Sequence, residues 1–227
     1  MKLHEIIKVL QKLSCKENIK GMAKFGITPE HTYGIKIPHL RDLAKKIGKD
    51  HDLAMQLWKE DTRETQILAS LVAEPSKLTN RQMEDWIKDF NYWEICDQCC
   101  MNLFEKLDFA YEKATELCVR EAEFARRTGF VLMARLGVSD KKAQDKKFTQ
   151  FFPYIIKGAT DERNMVKKAV NWALRQIGKR NLRLHSQAIE IAEEIIKIDS
   201  RSAKWIAADA LRELKNEKII NRLRKKK

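Results

Sequence analysis

RRTGFVLMARLG (126–137) written over KKAVNWALRQIG (167–178) decides the fold. In each segment two basic residues are followed by a small one, then an apolar stripe, then Gly. The offset is 41 residues (126 against 167). SAKWIAADAL (202–211) matches AVNWALRQIG (169–178) more loosely at an offset of 33 (169 against 202), which sets Trp205 on Trp172. TQILASLVAE (65–74) is a fainter echo. One alternative is chance similarity between amphipathic helices, whose apolar spacing is shared by many sequences.

Periods of this length suit HEAT-like helix pairs. One pair cannot bury its own apolar face, so pairs stack. The expected architecture is all-α: a curved solenoid of antiparallel HEAT-like helix pairs forming a single domain over 1–227, with a concave side long enough for a duplex. The composition agrees. Only 8 Gly and 4 Pro punctuate 227 residues, of which 44 % are apolar, so long helices with short links are expected. After a first helix marked by Leu3, Ile6, Ile7, Leu10 and Leu13, the spacing predicts helices at about 39–47, 51–59, 62–73, 80–89, 92–104, 108–118, 121–136, 141–156, 162–178, 182–196, 200–213 and 215–225. Gly48, Pro75, Gly137 and Gly178 read as stops, and Asp50, Ser139 and Asp161 as N-caps. Residues 21–38, with three Gly and two Pro, read as the longest irregular segment.

The formal net charge of +13 points to a polyanionic partner, nucleic acid ahead of an anionic membrane; a solvated basic surface is the plain alternative. The N-terminal MKLHEIIKVLQKL reads as an amphipathic helix rather than a signal peptide, and no apolar run reaches membrane-spanning length. Cys15, Cys96, Cys99, Cys100 and Cys118 have no disulfide framework spacing, so reduced thiols in a cytoplasmic protein are expected; a nucleoid-associated monomer is the further expectation. Cys96-x-x-Cys99-Cys100 lacks a second ligand pair, so buried helix cysteines are expected in place of zinc. Without a Gly-rich phosphate loop, a paired-His motif or a nucleophile elbow, neither metal nor nucleotide cofactor is expected.

In NYWEICDQCCMNLF (91–104), Trp93 and Asp97 are i, i+4 neighbours bordering an apolar stripe. A carboxylate there is poorly solvated unless a cation approaches it, whether a neighbouring Arg or a positively charged substrate; capping or bridging an adjacent helix is the competing role. Arg126–Arg127 and Lys167–Lys168 open equivalent repeat helices, with Arg175, Lys179, Arg180 and Arg183 beyond. They read either as a stripe that tracks phosphates or as solvated helix faces. Trp172 and Trp205 are expected in the core. The tail RLRKKK (222–227) reads as a mobile basic end.

YGIKIPHLRDLAKKIG (33–48), NYWEICD (91–97), FARRTGFVLMARLG (124–137) and NMVKKAVNWALRQIGKRN (164–181) follow the order and spacing of the AlkD family of DNA alkylation repair glycosylases, which the chain resembles over nearly its whole length. The resemblance implies excision of cationic purines such as 3-methyladenine and 7-methylguanine from duplex DNA held on a basic concave face, without flipping the lesion into a pocket. It assigns Asp97 as the catalytic carboxylate, Trp93 and Trp172 as aromatic faces on the deoxyribose, and Arg127 as a holder of the lesion phosphate. The expected DNA contacts are Arg126, Lys167, Lys168, Arg175, Lys179 and Arg180, read from the basic stripe, together with Phe25, which the resemblance sets at the place of a family Tyr. The chain departs from the family at Tyr92 and Glu94, where Trp and Asp are usual, and at Phe25, which replaces a Tyr. A catalytically silent relative that binds distorted or branched DNA is the alternative, with a protein-interaction scaffold behind it.

Overall fold

A computed structural model describes residues 1–29 and 31–225, and among these it contains helices and no strand. Two compact units divide the chain, Met1–Leu107 and Asp108–Lys227. Among the described residues no helix is long and apolar enough to cross a membrane.

The first unit holds α1 (Leu3–Lys12), α2 (Lys16–Ala23), α3 (Ile37–Ile47), α4 (His51–Lys59), α5 (Arg63–Val72), α6 (Asn80–Lys88) and α7 (Trp93–Asn102). A short link joins α4 to α5, which pack as a helical hairpin. Both starts are capped from side chains: Asp50 accepts from the Leu53 amide at 2.9 Å, and Thr62 and Thr65 cap α5 reciprocally. Because α3, α4 and α7 all pack on α5, even its polar residues Arg63, Glu64, Thr65 and Ser70 are buried. Trp58 and Trp86 stack with centroids 4.0 Å apart and tie α4 to α6.

The second unit holds α8 (Ala110–Leu117), α9 (Glu123–Ser139), α10 (Lys146–Thr149), α11 (Phe152–Gly158), α12 (Asn164–Gly178), α13 (Leu182–Ile195), α14 (Arg201–Leu214) and α15 (Glu217–Arg224). Helices α9, α12 and α14 pack in succession, and each packs on the helix that precedes it: α8, α11 or α13. These three are the helices that the internal repeat aligns, so the repeat is a packing unit. Gly129 permits the α8–α9 approach: a Cβ there would sit 2.4 Å from the Cys118 backbone nitrogen.

Several local expectations fail for identifiable reasons. The expected helix at 141–156 starts late and is split. Asp140 accepts from the amides of Lys142 and Ala143 in a turn, and Pro153 occupies the first turn of α11, where it starts a new helix. Gly137 does not end α9, which runs on to Ser139; that residue is the last of the helix and its hydroxyl donates back to the Arg135 carbonyl. Asp161 is not the N-cap of α12, which is Arg163; Asp161 accepts from the Arg163 amide at 3.1 Å and pairs with the Arg126 and Arg163 side chains. Within 21–38, α2 reaches Ala23. The basic tail is helical through Arg224, while Lys226 and Lys227 lie outside the described residues.

Candidate functional site

Helix α7 carries Trp93 and Asp97, and its placement is set by a buried ion cluster. Arg63, 2 % exposed, donates to Glu94 through Nε (2.6 Å) and Nη2 (2.8 Å), and through Nη1 to Glu64 (2.9 Å) and the Ile35 carbonyl (2.8 Å). Glu64 in turn accepts from the Thr32 hydroxyl (3.0 Å) and the amides of Tyr33 (2.8 Å) and Ile35 (3.0 Å). Burial opposes the guanidinium charge, but the hydrogen bonds and charge of Glu94 and Glu64 more than offset it and raise the Arg63 pKa. Segment 31–35, α5 and α7 are thus fixed to one another through two carboxylates and a fork-shaped cation. Glu94, expected only as a departure from the family pattern, is part of this scaffold. It was missed as such because nothing local links it to Arg63, which is 31 positions away.

The first turn of α7 is anchored a second time. The Trp93 indole N–H donates to the Phe25 carbonyl at 2.9 Å, which leaves the indole half-buried beside a Phe25 ring that is 74 % exposed. Asp97 lies one helical turn on and is also half-buried. Behind it, burial pushes the Cys99 and Cys100 thiols well above the usual range, Cys100 aided by the Cys96 thiol and by the Asp97 charge. These sulfurs are neutral at physiological pH and fill space. The Tyr92 hydroxyl is buried without a hydrogen-bond partner.

The remaining candidates are in the second unit. Trp172 is half-exposed on α12, on the face that also carries Lys168, Arg175 and Lys179. Its indole N–H meets the Gln176 side-chain oxygen at 2.9 Å when that amide is oriented to satisfy its neighbours. Arg127 is 5 % exposed, and its Nη1 donates to the Met165 carbonyl at 2.6 Å. It holds α9 to α12 and does not stand open to a phosphate.

The basic stripe also differs from expectation. Arg126 donates to Asp161 at 2.9 Å and to the Arg120 carbonyl at 2.8 Å. Arg175 and Lys179 both pair with Glu213 of α14. Arg180 donates to the Gly137 carbonyl at 3.0 Å and lies 3.8 Å over the Phe148 ring, and burial lowers its pKa. It borders a cleft of about 520 Å³ with Lys141, Asp145 and Arg222. These four cations brace repeats against each other, and Lys168 is the exposed member of the set. Lys167 packs its ammonium 5.3 Å from the centre of the Trp205 ring. Trp205 itself is exposed and not a core residue.

A family model described as "DNA alkylation repair enzyme" matches residues 6–214. An uncharacterised protein of Listeria innocua, Lin0241, is 24 % identical over 173 residues, covering 73 % of each chain. A solved structure described as a new family of proteins related to the HEAT-like repeat DNA glycosylases, with affinity for branched DNA structures, superposes with a TM-score of 0.76. It is 19 % identical and covers 94 % of this chain and 95 % of that one. At that identity the match establishes the HEAT-like all-α fold.

Proposed function

Because the chain belongs to the DNA alkylation repair enzyme family, we propose that it is a DNA glycosylase that releases cationic N-alkylated purines from duplex DNA, acting as a cytoplasmic monomer. The observation that carries this reading is the half-buried Asp97 one turn from an indole locked in place at the start of α7. A methylated purine cation is already a good leaving group. As the N-glycosidic bond breaks, its electron pair neutralises the purine, and positive charge grows on C1′ of the sugar. Asp97 stabilises that charge and orients a water, whose oxygen bonds to C1′ as a proton is lost. Trp93, one turn from Asp97 on the same helix, offers a π face that favours the same charge. Glu94, ion-paired to Arg63, is not placed to protonate a base, so neutral adducts have no general acid to help them leave.

The test is parallel assays on duplexes that carry a single lesion, with the released base identified chromatographically. The expected result is release of 7-methylguanine or 3-methyladenine and negligible release of ethenoadenine. Comparable release of ethenoadenine would sink the mechanism. A second reading, a silent relative that binds branched DNA, draws support from the description of the structural neighbour and from Tyr92, which departs from the family's Trp. It predicts no base release from any lesion and tight binding to junctions.

A further inference from the structure

Trp205 differs from the four other tryptophans. Trp58 and Trp86 are buried and stacked, and the indole N–H groups of Trp93 and Trp172 are held by protein oxygens. Trp205 is 42 % exposed. It does not sit on a frayed end, because α14 buries Ser202, Ala203, Ile206, Ala207 and Ala210 on its other side. Arg201, Trp205, Ala208 and Arg212 share the outer face by their 4-3-4 spacing, and all four are exposed. Ala208 is too small to shade the ring. From α12, Lys167 reaches over the indole, and exposed Lys168 stands beside it in sequence. Lys204 is paired with Asp199, and Arg212 with Asp209. Among the described residues, Lys167, Lys168 and Arg201 have no ion-pair partner.

An exposed indole with an unpaired ammonium over its ring and the unpaired Arg201 one turn away is the chemistry that takes a nucleotide: the base stacks on the ring in place of the Lys167 ammonium, and the cations meet the flanking phosphates. Away from its ends a duplex keeps its bases stacked on one another and offers base edges and sugars but no open base face. An apolar protein partner would leave the cations desolvated and unpaired. The geometry points to Trp205 and Lys167 as a stacking station for an unpaired nucleotide, at a tail, gap or branch next to the duplex. This inference rests on the DNA-binding part of the proposed function and is independent of base excision.

The experiment compares the affinity of the full chain for a blunt duplex and for the same duplex carrying a short single-stranded tail. Wild type is expected to prefer the tailed DNA by roughly tenfold, within the range of one base stacking on an aromatic side chain. Trp205→Ala should erase the preference while binding the blunt duplex normally, and Trp205→Phe should keep most of it. Lys167→Gln should reduce the salt slope on tailed DNA by about one. Unchanged helical signal and melting temperature would show that these surface variants fold. The station is overturned if wild type shows no tail preference, if Trp205→Ala retains it, or if Trp205→Ala weakens both DNAs equally. Base release by the same preparations keeps the two proposals apart: a tail preference without base release breaks only the glycosylase reading, and base release without a tail preference breaks only the station.

Discussion

Two ion networks, one in each unit, use similar residues to different effect. Glu64–Arg63–Glu94 is sealed from water. Its guanidinium reaches two carboxylates and a carbonyl, and the Glu64 oxygens take up backbone amides as well. The α12–α14 ladder, Arg175 and Lys179 on Glu213, is only partly covered. The first network is an all-or-none device: with every member present it fixes α7 and hence Trp93 and Asp97, and removal of one member strands a charge in a low-dielectric core. The second acts as a set of braces that water can partly replace.

The comparison breaks most visibly at Arg63. Arg63→Leu strands two buried carboxylates and should cost roughly 3–5 kcal/mol in urea unfolding. The double variant Arg63→Leu/Glu94→Leu should be more stable than Arg63→Leu alone, since Glu64 keeps its hydroxyl and amide donors. A double variant at least as damaged as the single one would mean that the cluster is not coupled.

Glu213→Gln should cost only about 1 kcal/mol, and less in high salt. Burial works against the Glu213 carboxylate, but its bonds to Lys179 and Arg175 outweigh that and lower its pKa. A lowered folded pKa means that the folded state binds fewer protons, so the contribution is complete above the unfolded value of about 4.5 and is lost as pH falls through the folded value. Wild type should therefore lose more stability than Glu213→Gln on acidification below pH about 4.5. Parallel losses would remove Glu213 from the account. The smallest change is at Tyr92. Its buried hydroxyl lacks a partner, so Tyr92→Phe should leave stability equal or higher, by less than about 1 kcal/mol; a clear loss would reveal a bond to that hydroxyl.

The repeat made the fold legible because equivalent helices α9, α12 and α14 bury equivalent apolar stripes. The Trp93–Asp97 pair was legible because i, i+4 spacing fixes a shared face. What stayed hidden depends on distance along the chain. A sequence does not say whether Arg126, Arg175 or Arg180 will meet a carboxylate or carbonyl some 35 to 43 positions away, so cations that brace repeats look the same as cations that await phosphate. Trp205 and its repeat partner Trp172 were expected in the core because large aromatic side chains are usually buried, but Trp172 is half-exposed and the α14 register turns Trp205 outward.

The central claim is that Asp97, held by an α7 that the buried cluster positions, supplies the charge for base release. The direct measurement is the single-turnover release of 7-methylguanine by wild type and Asp97→Asn at matched, saturating occupancy of DNA. The account predicts an unchanged helical signal, nearly unchanged DNA affinity, and a rate that falls by at least about a hundredfold, the scale on which a preorganised electrostatic group acts. An Asp97→Asn variant that releases the base at the wild-type rate would contradict it.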